Sequence, residues 1–260
     1  MKKRVVEDMY PLSPMQQGML FHTLLAPDAG MYFEQTTWRI RGEFDVATFE
    51  RAWNEVVRRY AVLRTGFVWK DVRDPLQVVF RDVQFSIRVQ DWSDTVTRDQ
   101  AGRLAEFLRL DRMEQFDLTR APLMRWTLLR MEPLDHVFVW SYHHILFDGW
   151  SLPILMSSLM EAYKAFRQNR PLRLAPSAPY SNYIAWLLKQ DIAKAREYWR
   201  KALEGFESPT PVQLPVEIHE PCSREGYVQE NCQLSRDVSD GLRALARFGI
   251  TLNTAIQAGW

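Results

Sequence analysis

Residues 142–151 read Tyr-His-His-Ile-Leu-Phe-Asp-Gly-Trp-Ser. The adjacent imidazoles of His143 and His144 could supply a general base, a metal ligand or a satisfied pair of core histidines. Asp148 follows four residues after His144, and a buried carboxylate must be matched by a cation or by several donors. Asp148 is therefore expected to brace the loop. Asp148-Gly149 is a turn signal, since glycine allows backbone conformations that other residues resist. A metal site built on His143, His144 and Asp148 lacks a further His or Cys nearby and the HExxH spacing. A Ser-His-Asp triad lacks the G-x-S-x-G elbow.

Such groups work only if rigid elements hold them. Residues 136–142 are almost all apolar or aromatic, including Val137, Phe138, Val139 and Trp140. Apolar side chains on both alternating faces predict a strand buried on both sides. If that geometry persists, His143 and His144 point to opposite sides, one an exposed base and the other structural. Beyond the loop, Leu152, Leu155, Met156, Leu159, Tyr163 and Phe166 form one stripe of an amphipathic helix. The histidines thus sit between a buried strand and a helix, where chemistry is often found.

The rest of the chain reads as an α/β alternation. Ser13-Pro14-Met15-Gln16 has the form of a capping box, predicting a helix to Leu25 with Met15, Met19 and Phe21 in the core. A strand over 31–41 precedes a helix capped by Asp45. That helix runs to Tyr60 with Val46, Phe49, Trp53, Val56 and Val57 inward, and Phe44 is spaced to staple Phe49. Strands over 63–69, 76–80 and 85–89 follow. Then come a helix over 98–113 with Leu104, Phe107, Leu108 and Met113 inward, and strands over 123–130 and 136–142. The expected order over 31–167 is β-α-β-β-α-β-β-α, packed as a two-layer α/β lobe. Prolines crowd residues 171–179 and again 209–221. A helix is expected from Tyr180 through Asp191 to Gly205, with Trp186, Leu187, Tyr198 and Trp199 in the core. A strand over 227–234, a helix over 237–248 ending at Gly249 and a further helix from Thr251 complete the reading. Residues 1–170 are thus expected to form one lobe, 171–179 a linker, and 180–260 the start of a second. An uncapped apolar helix end at Trp260 is unusual for a natural domain, so the chain is expected to be the N-terminal portion of something longer.

Composition narrows the function. The chain has 260 residues, 47% hydrophobic and 25% charged, with net charge +1. Nothing favours nucleic acid or a membrane surface as partner. The Met-Lys-Lys-Arg start has no apolar stretch after it, so it is not read as a signal peptide, and no apolar run reaches the roughly 18–20 residues of a membrane span. Cys222 and Cys232 form neither a disulfide framework nor a zinc pattern. They are expected to be reduced thiols of a cytoplasmic protein.

His143-His144-x-x-x-Asp148-Gly149 resembles the HHxxxDG signature of the condensation domains of non-ribosomal peptide synthetases, a superfamily shared with chloramphenicol acetyltransferase. Three other stretches resemble the family's motifs in the family's order: residues 13–22, from Ser13 to His22; residues 58–67, from Arg58 to Phe67; and residues 180–186, from Tyr180 to Trp186. The resemblance implies two chloramphenicol-acetyltransferase-like lobes with mixed or antiparallel sheets and flanking helices, and an active site in a tunnel between them. It implies that His144 is catalytic, that His143, Asp148, Gly149 and Arg64 support it, and that Arg64 is salt-bridged to Asp148. The Gly149 N–H is a candidate oxyanion donor. The implied reaction is attack of a downstream aminoacyl amine on an upstream peptidyl or aminoacyl thioester. Both substrates ride on the 4′-phosphopantetheine of carrier proteins, with no cofactor or metal held by the domain itself. Implied partners are the upstream and downstream carrier domains, an adenylation domain in cis and the remainder of the C-terminal lobe. Without that remainder, the fragment is expected to be weakly active or inactive. Asp148-Gly149-Trp150-Ser151 and Gln17-Gly18-Met19-Leu20-Phe21-His22 resemble domains taking an L-configured donor. The alternatives are a CoA-dependent acyltransferase, an epimerization domain and a non-catalytic carrier-docking module.

Overall fold

The greasy run that ends at the histidines becomes the middle of a sheet. A computed structural model describes residues 5–94, 97–208 and 232–259. Strand β7 (Asp135–His143) is buried at every position after its first. It pairs antiparallel with β2 (Phe33–Arg41) on one side and β6 (Met124–Glu132) on the other. Strand β5 (Arg88–Asp91) joins β6 in parallel, giving the order β2-β7-β6-β5. One face sends Trp126, Leu128, Phe138 and Trp140 into the main core with helices α2 (Val46–Arg59) and α4 (Ser151–Arg167). The other face sends Leu129, Met131, Val137 and Val139 against Leu104, Phe107 and Leu108 of α3 (Thr97–Met113). Helices therefore cover both faces, which is why β7 has no polar side. Complete burial of Phe138 and Leu159 contributes roughly 1.5–3 kcal/mol each.

Local signals form as expected. Ser13 Oγ accepts from the Gln16 N–H and Gln16 Oε1 accepts from the Ser13 N–H, closing the capping box of α1 (Pro14–Leu25). Asp45 accepts from the Thr48 N–H at the start of α2. The Phe44 and Phe49 rings lie 4.9 Å apart. Every member of the α4 stripe packs into the main core.

Other expectations are corrected. A strand that the sequence did not suggest, β1 (Val6–Pro11), pairs with β4 (Leu76–Phe80), which pairs with β3 (Thr65–Val68). It is mostly exposed, carries two acidic residues and ends in proline, as an edge strand tolerates. Three strands separate α2 from α3, as the ranges 63–69, 76–80 and 85–89 require and one more than the order β-α-β-β-α-β-β-α counts. Residues 85–87 lie outside β5: the Ile87 N–H is taken by the Glu50 carboxylate, and the Phe85 ring lies tilted 4.2 Å from that of Trp126. Met15 and Phe21 of α1 and Met113 of α3 are exposed, while Met19 packs inward. The single helix expected after Tyr180 is two, α5 (Tyr180–Leu187) and α6 (Ile192–Ala202), because Asp191 caps the second through the Lys194 N–H. Trp186, Tyr198 and Trp199 are exposed, with nothing among the described residues burying them.

The chain divides into two compact units, Met1–Gln213 and Leu214–Trp260. In the second, Ser235 caps α7 (Arg236–Ala244), its end tightens into a 3-10 turn, and Gly249 stops it at φ 75° before α8 (Leu252–Gly259). The proline-rich crossing at 209–221, Cys222 and most of the strand expected over 227–234 lie outside the described residues. Cys232 is a free, exposed thiol. No helix among the described residues is long and apolar enough to cross a membrane.

Candidate active site

Strand β7 ends at His143, and the chain turns at once. The Leu146 N–H donates to the His143 carbonyl at 3.2 Å, which makes His144 and Ile145 the two central residues of a tight turn. His143 is only 2% exposed. Its Nδ1 accepts from the Ile145 N–H at 3.2 Å, and its Nε2 lies 3.4 Å from Thr23 Oγ1, which donates to the Met19 carbonyl. A backbone N–H can only donate, so Nδ1 carries the lone pair and the proton sits on Nε2. Burial, with the neighbouring His144 adding to it, draws the His143 pKa down to about 4. His143 is therefore a neutral latch across the turn.

His144 is half-buried. Its N–H donates to the Tyr32 carbonyl at 2.8 Å. Tyr32 holds a left-handed backbone, φ 62°, which costs a non-glycine residue roughly 1–2 kcal/mol. The His144 Nδ1 is buried without a partner. Among the described residues no carboxylate bonds that nitrogen from behind, so the ring is not part of a triad. Sequence reasoning missed Thr23 and Tyr32; no local pattern marks a tyrosine for a left-handed position.

Asp148 braces the loop, but in another way than expected. It is exposed, and its Oδ1 accepts from the Ser151 N–H at 3.0 Å and the Ser151 hydroxyl at 2.9 Å, tying the loop to the start of α4. Gly149 does not use a left-handed backbone, and a Cβ there would meet nothing within 4 Å. Conformation does not require this glycine.

The expected Arg64–Asp148 ion pair is not formed. Arg64 is 5% exposed and donates to Glu7 Oε2 at 2.6 Å and Oε1 at 3.3 Å, to the Val57 carbonyl at 3.1 Å, and to the Phe80 carbonyl. The guanidinium fork is filled by the edge of the second sheet. Its hydrogen bond also holds the Glu7 carboxyl below the usual carboxylate range. Arg64 is a structural cation in this arrangement. It lines a cleft of about 1100 Å³ with Arg51, Arg58, Arg59, Arg81 and Arg173, and none of residues 142–151 enters that wall. Among the described residues no three His, Cys, Asp or Glu side chains converge on a metal position.

Comparison with known proteins supplies the family. A family model described as "Condensation domain" matches residues 6–260. One of the linear gramicidin synthase proteins of Brevibacillus parabrevis is 40% identical over 258 residues, covering 97% of this chain and 3% of that protein. Surfactin synthase subunit 3 of Bacillus subtilis (strain 168) is 38% identical over 261 residues, covering 99% of this chain and 20% of that protein. The chain therefore spans a small part of these relatives. Among solved structures, the starter condensation domain of rhizomide synthetase aligns with TM-score 0.67 and 24% identity, covering 78% of this chain and 50% of that one. The first condensation domain of the calcium-dependent antibiotic synthetase, in complex with a substrate analogue, aligns with TM-score 0.65 and 21% identity, covering 78% and 49%. At these identities the structures speak to the fold alone, and that fold is the mixed α/β, chloramphenicol-acetyltransferase-like one expected. A sequence match running from the edge strand to the last residue settles the rest: this chain belongs to the condensation-domain family of the non-ribosomal peptide synthetases.

Proposed function

We propose that this chain carries the histidine-bearing part of a condensation domain that joins two carrier-bound substrates, with His144 meeting the nucleophile. The amine nitrogen of the downstream aminoacyl thioester attacks the upstream thioester carbonyl, the C–N bond forms, the C–S bond breaks, and the amine's proton ends on the departing thiol. A free α-amine has a pKa of roughly 7.7–8.0, so part of it is neutral already at physiological pH. His144 then orients the amine or takes its proton as the tetrahedral intermediate forms. The Gly149 N–H is the proposed oxyanion donor. The supporting observation is the turn: three hydrogen bonds hold the backbone on both sides of His144, and the ring's Nδ1 is not tied to any protein partner.

The substrates are proposed to arrive on 4′-phosphopantetheine, from upstream and downstream carrier domains, with an adenylation domain in cis and an L-configured donor, in the cytoplasm. Residues 1–170 would be the first lobe and 180–260 the opening of the second, joined through 171–179. The remainder of that lobe would form the other tunnel wall. Trp150 is 85% exposed beside the loop, with Ile154 also exposed, an apolar surface suited to such a wall. The test uses the complete domain with a loaded carrier pair and intact-mass detection of the elongated thioester. His144→Ala should abolish elongation. Elongation at the parental rate would overturn the proposal, and acyl transfer from free CoA thioesters alone would favour the acyltransferase reading.

A further inference from the structure

A pair of buried glutamines lies under the histidine turn. Gln16 and Gln77 are 6% and 1% exposed. Gln77 Nε2 donates to the Pro11 carbonyl at 2.9 Å and to Gln16 Oε1 at 3.0 Å. Gln16 Oε1 also accepts from the Ser13 N–H at 3.0 Å. Gln16 Nε2 faces Gln77 Oε1 at 3.3 Å and donates to the carbonyl of Ile145 at 3.2 Å. The orientations follow from chemistry. The Pro11 carbonyl can only accept, which fixes the Gln77 amide; that amide and the Ser13 N–H fix the Gln16 oxygen. The remaining Gln16 N–H must then point at Ile145. The capping box alone needs the Gln16 oxygen and leaves its nitrogen unexplained.

We propose that Gln16 is a positioning residue for catalysis, its side-chain amide holding the Ile145 carbonyl and with it the turn that carries His144. This rests on the reading of His144 as the group that meets the amine. Around His144 the preceding peptide is held by Tyr32, the following N–H by the His143 ring, and the next carbonyl by Gln16. The first two contacts come from the sheet and its end. The third comes from a helix 129 residues away in sequence, and it is the only side-chain donor on the far half of the turn among the described residues. Loss of the donor leaves the Ile145–Leu146 peptide held only through its N–H on the His143 carbonyl, and a shift of the imidazole by about 1 Å costs about a hundredfold in rate.

The test compares Gln16→Met with Ser13→Ala in the complete domain with loaded carriers. Ser13→Ala removes the helix cap and leaves the Gln16–Ile145 bond. Gln16→Met should lower kcat by about tenfold to a hundredfold with acceptor KM little changed, and Ser13→Ala should lower Tm while keeping kcat. Hydrogen exchange of the 260-residue chain should rise at residues 144–147 in Gln16→Met only. Gln16→Glu retains the accepted bonds, loses the donor and stands in if Gln16→Met fails to fold. Parental kcat in Gln16→Met, or equal kcat losses in the two variants, overturns the clamp. His144→Ala run alongside separates the two ideas: an inactive His144→Ala with a fully active Gln16→Met sinks the clamp alone, and an active His144→Ala sinks both.

Discussion

Arg64→Met should destabilise the chain far more than Asp148→Ala, and the two effects should add. Methionine fills the space of the Arg64 stem but leaves the Val57 carbonyl without its Arg64 donor and removes one bond to the Phe80 carbonyl. A buried acceptor stripped of its partner costs about 1–3 kcal/mol. Glu7 is also released, but its side chain is 39% exposed and regains water, so the pair contributes less than the roughly 3–5 kcal/mol lost when a fully buried pair is broken. The expected total is roughly 3 kcal/mol. Asp148→Ala removes the surface carboxylate that bonds Ser151 at the start of α4 and costs about 1 kcal/mol. For a unit of this size 1 kcal/mol corresponds to about 2–4 °C in Tm, so losses of about 6–12 °C and 2–4 °C are expected. Urea unfolding followed by tryptophan fluorescence, on both variants and the double variant, completes a thermodynamic cycle. Independent sites add within about 0.5 kcal/mol. A coupling energy above about 1 kcal/mol, or an Asp148→Ala loss equal to that of Arg64→Met, would refute the separation of the two residues.

Two further outcomes follow from the loop. The His143 pKa is about 4 in the folded chain against about 6.5 unfolded, so on acidification the unfolded state takes up the proton first. Stability should be unaffected above about pH 6.5 and fall by up to roughly 3 kcal/mol as pH drops toward 4. His143→Asn, which keeps an acceptor for the Ile145 N–H, should flatten urea midpoints measured between pH 7 and 5; an unchanged slope would show that another group is responsible. Gly149→Ala meets no steric or φ obstacle and should leave Tm unchanged or slightly raised. If it also leaves elongation unchanged, substrate approach does not need the space left by the missing Cβ, while the backbone N–H, which alanine keeps, stays available.

Features governed by short range were legible in the chain alone. The caps at Ser13 and Asp45, the Phe44–Phe49 staple, the doubly apolar β7 and the stripe of α4 depend on residues a few positions apart, and all formed. The loop was legible for the same reason, as chemistry-bearing residues at a strand end. Partners distant in sequence were chosen by the folded arrangement. A guanidinium fork accepts any carboxylate that the folded chain brings to it, and strand pairing brought Glu7, 57 residues away, on an edge strand with no apolar alternation. The amide of Gln16 looked complete as a cap until the fold carried it under Ile145. Trp186, Tyr198 and Trp199 have the residue types of a core, but type sets only the gain available from burial, and a packed neighbour must be present to realise it.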